Sequence, residues 1–262
     1  MDMKIVRCLW GKSDHQFFEK NLNSYHSECL RTKELDEKHK LTNQIVFVWD
    51  KVNCDFLDKI GYPYHYMGES IVNVEFNFFH KIMALERAME MYDEILFLDW
   101  DCEIQKPLDD NFYTLLRNKS DIQIPLYFYP NEILKDYKTI NPFVSDDIHY
   151  YNMFFYQIQR RGKWKFDNGL AIPNAGFIYC RNKHFFKELN IIQRQYGIVS
   201  NIEEVCAMIY FNKFIETTDE YLDKIEPVVC LGKDDLEMWG KQIKLNKYSI
   251  DKLDKNIYFI HE

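Results

Sequence analysis

A chain of 262 residues, 47% hydrophobic and 28% charged, can bury one sizeable core, which excludes disordered and fibrous classes. Its 9 glycines and 7 prolines leave little for flexible linkers. A formal charge of −8 argues against a nucleic-acid partner but not against a nucleotide ligand whose charge a metal ion carries.

The cysteines are seven in number, form no CxxC pair, and several sit in apolar runs. They read as buried free thiols of a reducing compartment rather than disulfides or a zinc site. Arg7 interrupts the first apolar run, and no run approaches membrane-spanning length. The expected location is cytoplasmic, with peripheral contact at the inner face of a membrane left open.

In chain order, short apolar runs alternate with helical periodicity, the pattern of stacked βαβ units and an α/β, mostly parallel sheet covered on both faces. Ile5 to Trp10 predicts a first strand. Ser13-Asp14-His15-Gln16 has the form of a capping box, opening a helix that carries Phe17, Phe18, Leu22 and Tyr25. Ile45 to Trp49 predicts a second buried strand, ending at Asp50. Phe78, Ile82, Leu85, Met89 and Tyr92 recur at spacings of four and three, an amphipathic helix. Directly afterwards Ile95-Leu96-Phe97-Leu98 predicts a third buried strand, delivering Asp99 and Asp101 at its carboxyl end. A short helix over 112–116 and a strand near 122–125 follow. Residues 127–168, aromatic and charged with weak periodicity, are expected to be an excursion that covers the site or shapes an acceptor pocket. Beyond it come a strand at Ala175 to Cys180, helices near 185–196 and 202–211, and a last strand at Asn256 to Ile260. One domain over 1–262 is expected.

Ligands of open parallel sheets bind beyond the carboxyl ends of the strands, where Asp99 and Asp101 are expected. On extended chain, residues i and i+2 point to one side, so both carboxylates would face the same way. Two hard oxygen ligands suit Mg²⁺ or Mn²⁺, which completes its shell with phosphate oxygens and water. Trp100, pointing the other way, is expected to pack.

Three blocks carry a resemblance: the helix and strand from His80-Lys81 through Leu98-Asp99-Trp100-Asp101-Cys102, Pro173-Asn174-Ala175-Gly176 with its following strand, and Tyr258-Phe259-Ile260-His261. Together, in this order, they resemble the GT-A glycosyltransferases, and in particular the glycogenin-like and bacterial galactosyltransferase-like group. The resemblance implies a Rossmann-like domain that moves a sugar from a nucleotide diphosphate donor, UDP-linked, to a glycan or glycolipid acceptor. It implies Mn²⁺ or Mg²⁺ held by Asp99, Asp101 and His261, with Asp99 also contacting the donor. Lys81 is implied to touch the nucleotide or its phosphates, and Asn174 the sugar hydroxyls. Glu203 and Glu204, at the start of a helix, are the implied candidates to face the reacting sugar and, in an inverting reaction, to act as base. The glycogenin-like character favours retention. Asp50, at a strand end, suits hydrogen bonds from a base or ribose, and Trp10 suits the wall of a base pocket. Usage rich in Lys, Asn, Ile and Tyr points to an AT-rich bacterial genome, and by analogy with the group it resembles the chain is expected in surface polysaccharide synthesis. Two alternatives stand beside this: a haloacid-dehalogenase-type phosphatase, which also follows a strand with Asp-x-Asp, and a non-catalytic protein that binds sugar nucleotides.

Overall fold

The computed structural model describes residues 3–11, 16–17, 20–70, 79–119, 121–124, 126–130, 165–166, 169–173, 175–196, 203, 206–207, 210 and 258–261. Its centre is a six-stranded sheet of order β5-β4-β1-β6-β12-β8. These strands are β1 (Lys4–Leu9), β4 (Gln44–Trp49), β5 (Tyr64–Gly68), β6 (Ile95–Leu98), β8 (Ile122–Gln123) and β12 (Phe177–Cys180). The first four are parallel, while β12 runs antiparallel to both β6 and β8. The connecting helices are α1 (Leu22–Lys38), α2 (Lys51–Ile60) and α3 (Phe79–Met91), with α4 (Asp110–Lys119) and α5 (Phe185–Tyr196) later in the chain. The α/β, mostly parallel expectation is met.

Strict alternation along the strands explains why both faces are covered. Val6, Cys8, Phe47, Trp49, Ile95, Phe97, Ile178 and Cys180 join Ile82, Leu85 and Met89 of α3 and Phe185, Phe186 and Leu189 of α5 in one buried cluster. On the other face, Ile5, Leu96, Leu98, Phe177 and Tyr179 pack with Phe112 and Leu116 of α4. Leu9, Val46 and Val48 pack there with Leu57 of α2 and Cys29 of α1.

The chain runs β1, β4, β5 outward to one edge and then returns to β6 on the other side of β1. Strand order therefore reverses between β1 and β6, the crevice where such sheets take ligands.

Several expectations need correction. β2 (Gln16–Phe17) and β3 (Lys20–Asn21) are two short paired strands, so the first helix begins at Leu22; Ser13, Asp14 and His15 of the expected capping box lie outside the described residues. A two-residue hairpin this close to a helix start lies below what apolar periodicity detects. The segment from Lys51 to Gly68, left unassigned in sequence, is a full helix and an edge strand. The expected excursion lies mostly outside the described residues. Its two ends, β9 (Leu126–Pro130) and β10 (Lys165–Phe166), both pair antiparallel with β11 (Gly169–Pro173). The last strand is β13 (Phe259–His261), paired with β7 (Cys102–Ile104).

Candidate active site at the turn after β6

Asp99-Trp100-Asp101 is not extended. The Cys102 N–H folds back to donate to the Asp99 carbonyl at 3.1 Å, making a four-residue turn with Trp100 and Asp101 at its centre. The expectation of two carboxylates aligned by strand geometry is therefore corrected: a turn, not a pleat, sets their directions.

Protein groups hold this turn from several sides. The Asp99 N–H donates to Gly176 O at 2.8 Å, and Arg7 Nη1 donates to Asp99 O at 2.6 Å. Thr32 Oγ1 donates to Trp100 O at 2.6 Å, and the Trp100 indole N–H to Cys8 O at 2.6 Å. The Cys102 thiol faces Gly176 O at 3.0 Å. Trp100 is buried, as expected, with the Arg7 guanidinium 5.2 Å from its ring centre.

Arg7 is a buried cation in the middle of β1. Its counter-charge is Asp36 of α1 at 3.3 Å, which also accepts from Tyr62 Oη at 2.8 Å. Burial works to lower the Arg7 pKa, but Asp36, Tyr62 and Cys102 together outweigh it and the guanidinium is held above its ordinary value.

Lys81 of α3 reaches the same turn from the other face. Its Nζ donates to Asp99 Oδ2 at 2.8 Å and Glu203 Oε1 at 3.1 Å, and lies 3.5 Å from Ala175 O. The lysine side chain is 2% exposed, Glu203 5% and Asp99 28%, so only the aspartate opens to solvent. Burial tends to lower the Lys81 pKa, yet the two carboxylates lift it above the ordinary lysine range. Burial pushes Glu203 up, and Lys81 opposes that shift. Glu203 is placed by a helical stretch in which Cys206, Ala207 and Tyr210, at i+3, i+4 and i+7, are buried with it.

Lys81 thus faces carboxylates and a carbonyl, where the resemblance implied nucleotide phosphates. Asp50 likewise serves protein groups: one carboxylate oxygen accepts from Gly11 N at 2.9 Å, the other from Ser70 N and Ser70 Oγ, each at 2.9 Å. With Asn53 Nδ2 donating to Gly11 O and Trp49 O, it ties the ends of β1, β4 and β5 together. A non-glycine residue at φ 65° is strained, and these bonds hold it there. Trp10, half-buried at the end of β1, stacks on His80 with ring centres 5.8 Å apart and packs on the core.

His261 closes the set by backbone pairing. Antiparallel register puts Phe259 opposite Ile104 and His261 opposite Cys102, one residue from Asp101. Asn174 and Glu204 lie outside the described residues. Tyr25 of α1 was not anticipated near the turn: burial first, then the charges of Asp99, Glu28 and Asp101, push its phenol upward. In sequence it is one apolar-face residue of a helix, and nothing local marks it.

Among the described residues no group of three or more His, Cys, Asp or Glu side chains forms a ready metal cage. Asp99 and Asp101 still fit a hard cation that takes one or two carboxylates and draws its other oxygens from a diphosphate and water.

No family model and no curated protein matches this chain. Among solved structures it is similar to a glycosyltransferase involved in the glycosylation of the major capsid of PBCV-1, at 12% identity and a TM-score of 0.44, over 99% of this chain and 92% of that one.

Proposed function

We propose that the chain is a metal-dependent glycosyltransferase, moving a hexose-like sugar from a nucleotide diphosphate donor, UDP-linked, to a glycan or glycolipid acceptor. One observation carries the reading. An acidic turn, Asp99 to Cys102, stands at the carboxyl end of β6 beside the point where strand order reverses, and is anchored through Arg7, Thr32, Cys8 and Gly176. Gly176 and the His261 strand both meet it, through Gly176 O and the pairing with Cys102.

In this reading Asp99 and Asp101 hold Mn²⁺ or Mg²⁺, with His261 as the third candidate ligand. A bound cation supplies charge neutralisation for the departing diphosphate. Asp99 is held ready by Lys81 and by its own backbone bonds, which spares reorganisation when the donor binds. Trp10 and the Asp50–Gly11 junction form the adjoining wall at the ends of β1 and β4, where a base would lie, and Asn174 is the candidate for the sugar. Retention requires no dedicated base, since the leaving phosphate takes the acceptor proton. Glu203 stands behind Lys81, and Glu204 is the remaining candidate to face the sugar. Surface polysaccharide is the acceptor class in this reading.

The test is donor turnover. The purified chain is incubated with UDP-linked and other nucleotide-linked hexoses, with and without Mn²⁺. Nucleoside diphosphate release that chelation abolishes and Mn²⁺ or Mg²⁺ restores is the expected result. Hydrolysis of simple phosphate monoesters without donor turnover, or nucleotide binding indifferent to divalent ions, overturns it.

A further inference from the structure

The Lys81 ammonium has two carboxylates within hydrogen-bond distance, Asp99 Oδ2 at 2.8 Å and Glu203 Oε1 at 3.1 Å. It sits 5.1 Å from the centre of the Phe97 ring and is buried. A carboxylate as buried as Glu203 is costly to keep unless a counter-charge stands beside it, and Lys81 is that charge. Its other oxygen, Oε2, is buried with no hydrogen-bond partner among the described residues. With all three ionised, the groups carry one positive and two negative charges. Were Glu203 absent, the turn would offer a cation one negative charge fewer.

We propose that Glu203 is a positioning residue that acts through Lys81: it shares the ammonium and thereby leaves Asp99 its negative charge for a divalent cation. The role rests on the cation reading above and differs from that of a base facing the acceptor. Glu203 need touch neither metal nor sugar. Charge at this range acts through a poorly screened interior, so losing it changes cation affinity by roughly tenfold or more.

The experiment is calorimetric titration of Mn²⁺, with uridine diphosphate present, into the wild-type protein and four variants at slightly alkaline pH. Circular dichroism checks that each is folded. Glu203→Gln is expected to weaken Mn²⁺ binding roughly tenfold. Glu203→Asp, which keeps the charge, retains affinity within about threefold. Lys81→Met combined with Glu203→Gln restores the net charge and recovers most of the loss. Wild-type affinity in Glu203→Gln overturns the proposal, as does a double variant that binds no better than Glu203→Gln. If the double variant does not fold, the contrast between Glu203→Gln and Glu203→Asp decides alone. Asp99→Asn separates the two levels. Lost binding there with wild-type binding in Glu203→Gln overturns only the role of Glu203. Unchanged binding in Asp99→Asn, or none in the wild type, overturns the cation reading beneath it.

Discussion

Arg7 Nη1 donates a 2.6 Å hydrogen bond to the main-chain carbonyl of Asp99, across 92 residues of sequence. The guanidinium lies in the sheet interior, pairs with Asp36 and covers the Trp100 ring. A core ion pair therefore positions the acidic turn. Arg7→Met leaves Asp36 charged, buried and unpaired, a change expected to cost about 3–5 kcal/mol. Chemical denaturation measures it, and adding Asp36→Leu should return part of the loss.

If the proposed function holds, Asp99→Asn and Asp101→Asn are expected to lower kcat/KM for donor turnover by about a hundredfold or more while the fold persists, because in that reading each removes a hard anionic ligand from the turn. Steady-state assays with circular dichroism decide. A variant that keeps activity within a few-fold removes its residue from the site.

Trp100→Phe preserves the buried ring but deletes the N–H that donates to Cys8 O. The orphaned carbonyl should cost about 1–3 kcal/mol. Thermal unfolding reads the loss of stability.

Phe259 is buried against Phe112 and Phe177, with both pairs of ring centres 5.7 Å apart. Its burial anchors the strand that brings His261 beside Asp101. Phe259→Ala is expected to cost about 3–5 kcal/mol and to weaken Mn²⁺ binding together with stability. His261→Ala should weaken Mn²⁺ with little effect on stability, and titration of both variants separates anchoring from ligation.

Glu94 gives the fold a pH dependence away from the site. Burial would raise its pKa, but Arg117 donates two bonds at 2.8 and 2.7 Å and Tyr179 one at 2.6 Å, and the balance lies below the ordinary value. A carboxyl depressed in the folded state binds fewer protons there than when unfolded. Its stabilisation is therefore full above the ordinary glutamate pKa and is lost as pH falls through the folded value. Denaturation across the pH range below the ordinary glutamate pKa should show this loss, and Glu94→Gln should flatten it.

Much of the scaffold was legible in the order of residues. Ile45–Trp49, Ile95–Leu98 and the helix from Phe79 follow from apolar runs and periodicity, since burial on both faces of a parallel sheet leaves that imprint on adjacent residues. The acidic pair was placed at a strand end for the same reason. Asp99 in a turn, Lys81 between two carboxylates and Asp50 bonded to Gly11 and Ser70 were not legible. The partners of Lys81 and Asp50 lie 18 to 122 residues away, Arg7 anchors the Asp99 turn from 92 away, and local pattern holds no record of such distances.

By itself, then, the sequence determined which segments bury their side chains and where acidic residues leave the sheet, because hydrophobic periodicity is a property of neighbours. Only the tertiary structure decided which charges meet. Arg7 in β1 read as an interruption of an apolar run, and it became the anchor of Asp99 only when α1 brought Asp36 to neutralise it. A buried charge is tolerable solely beside its counter-charge, and that pairing is a fact of the packed chain.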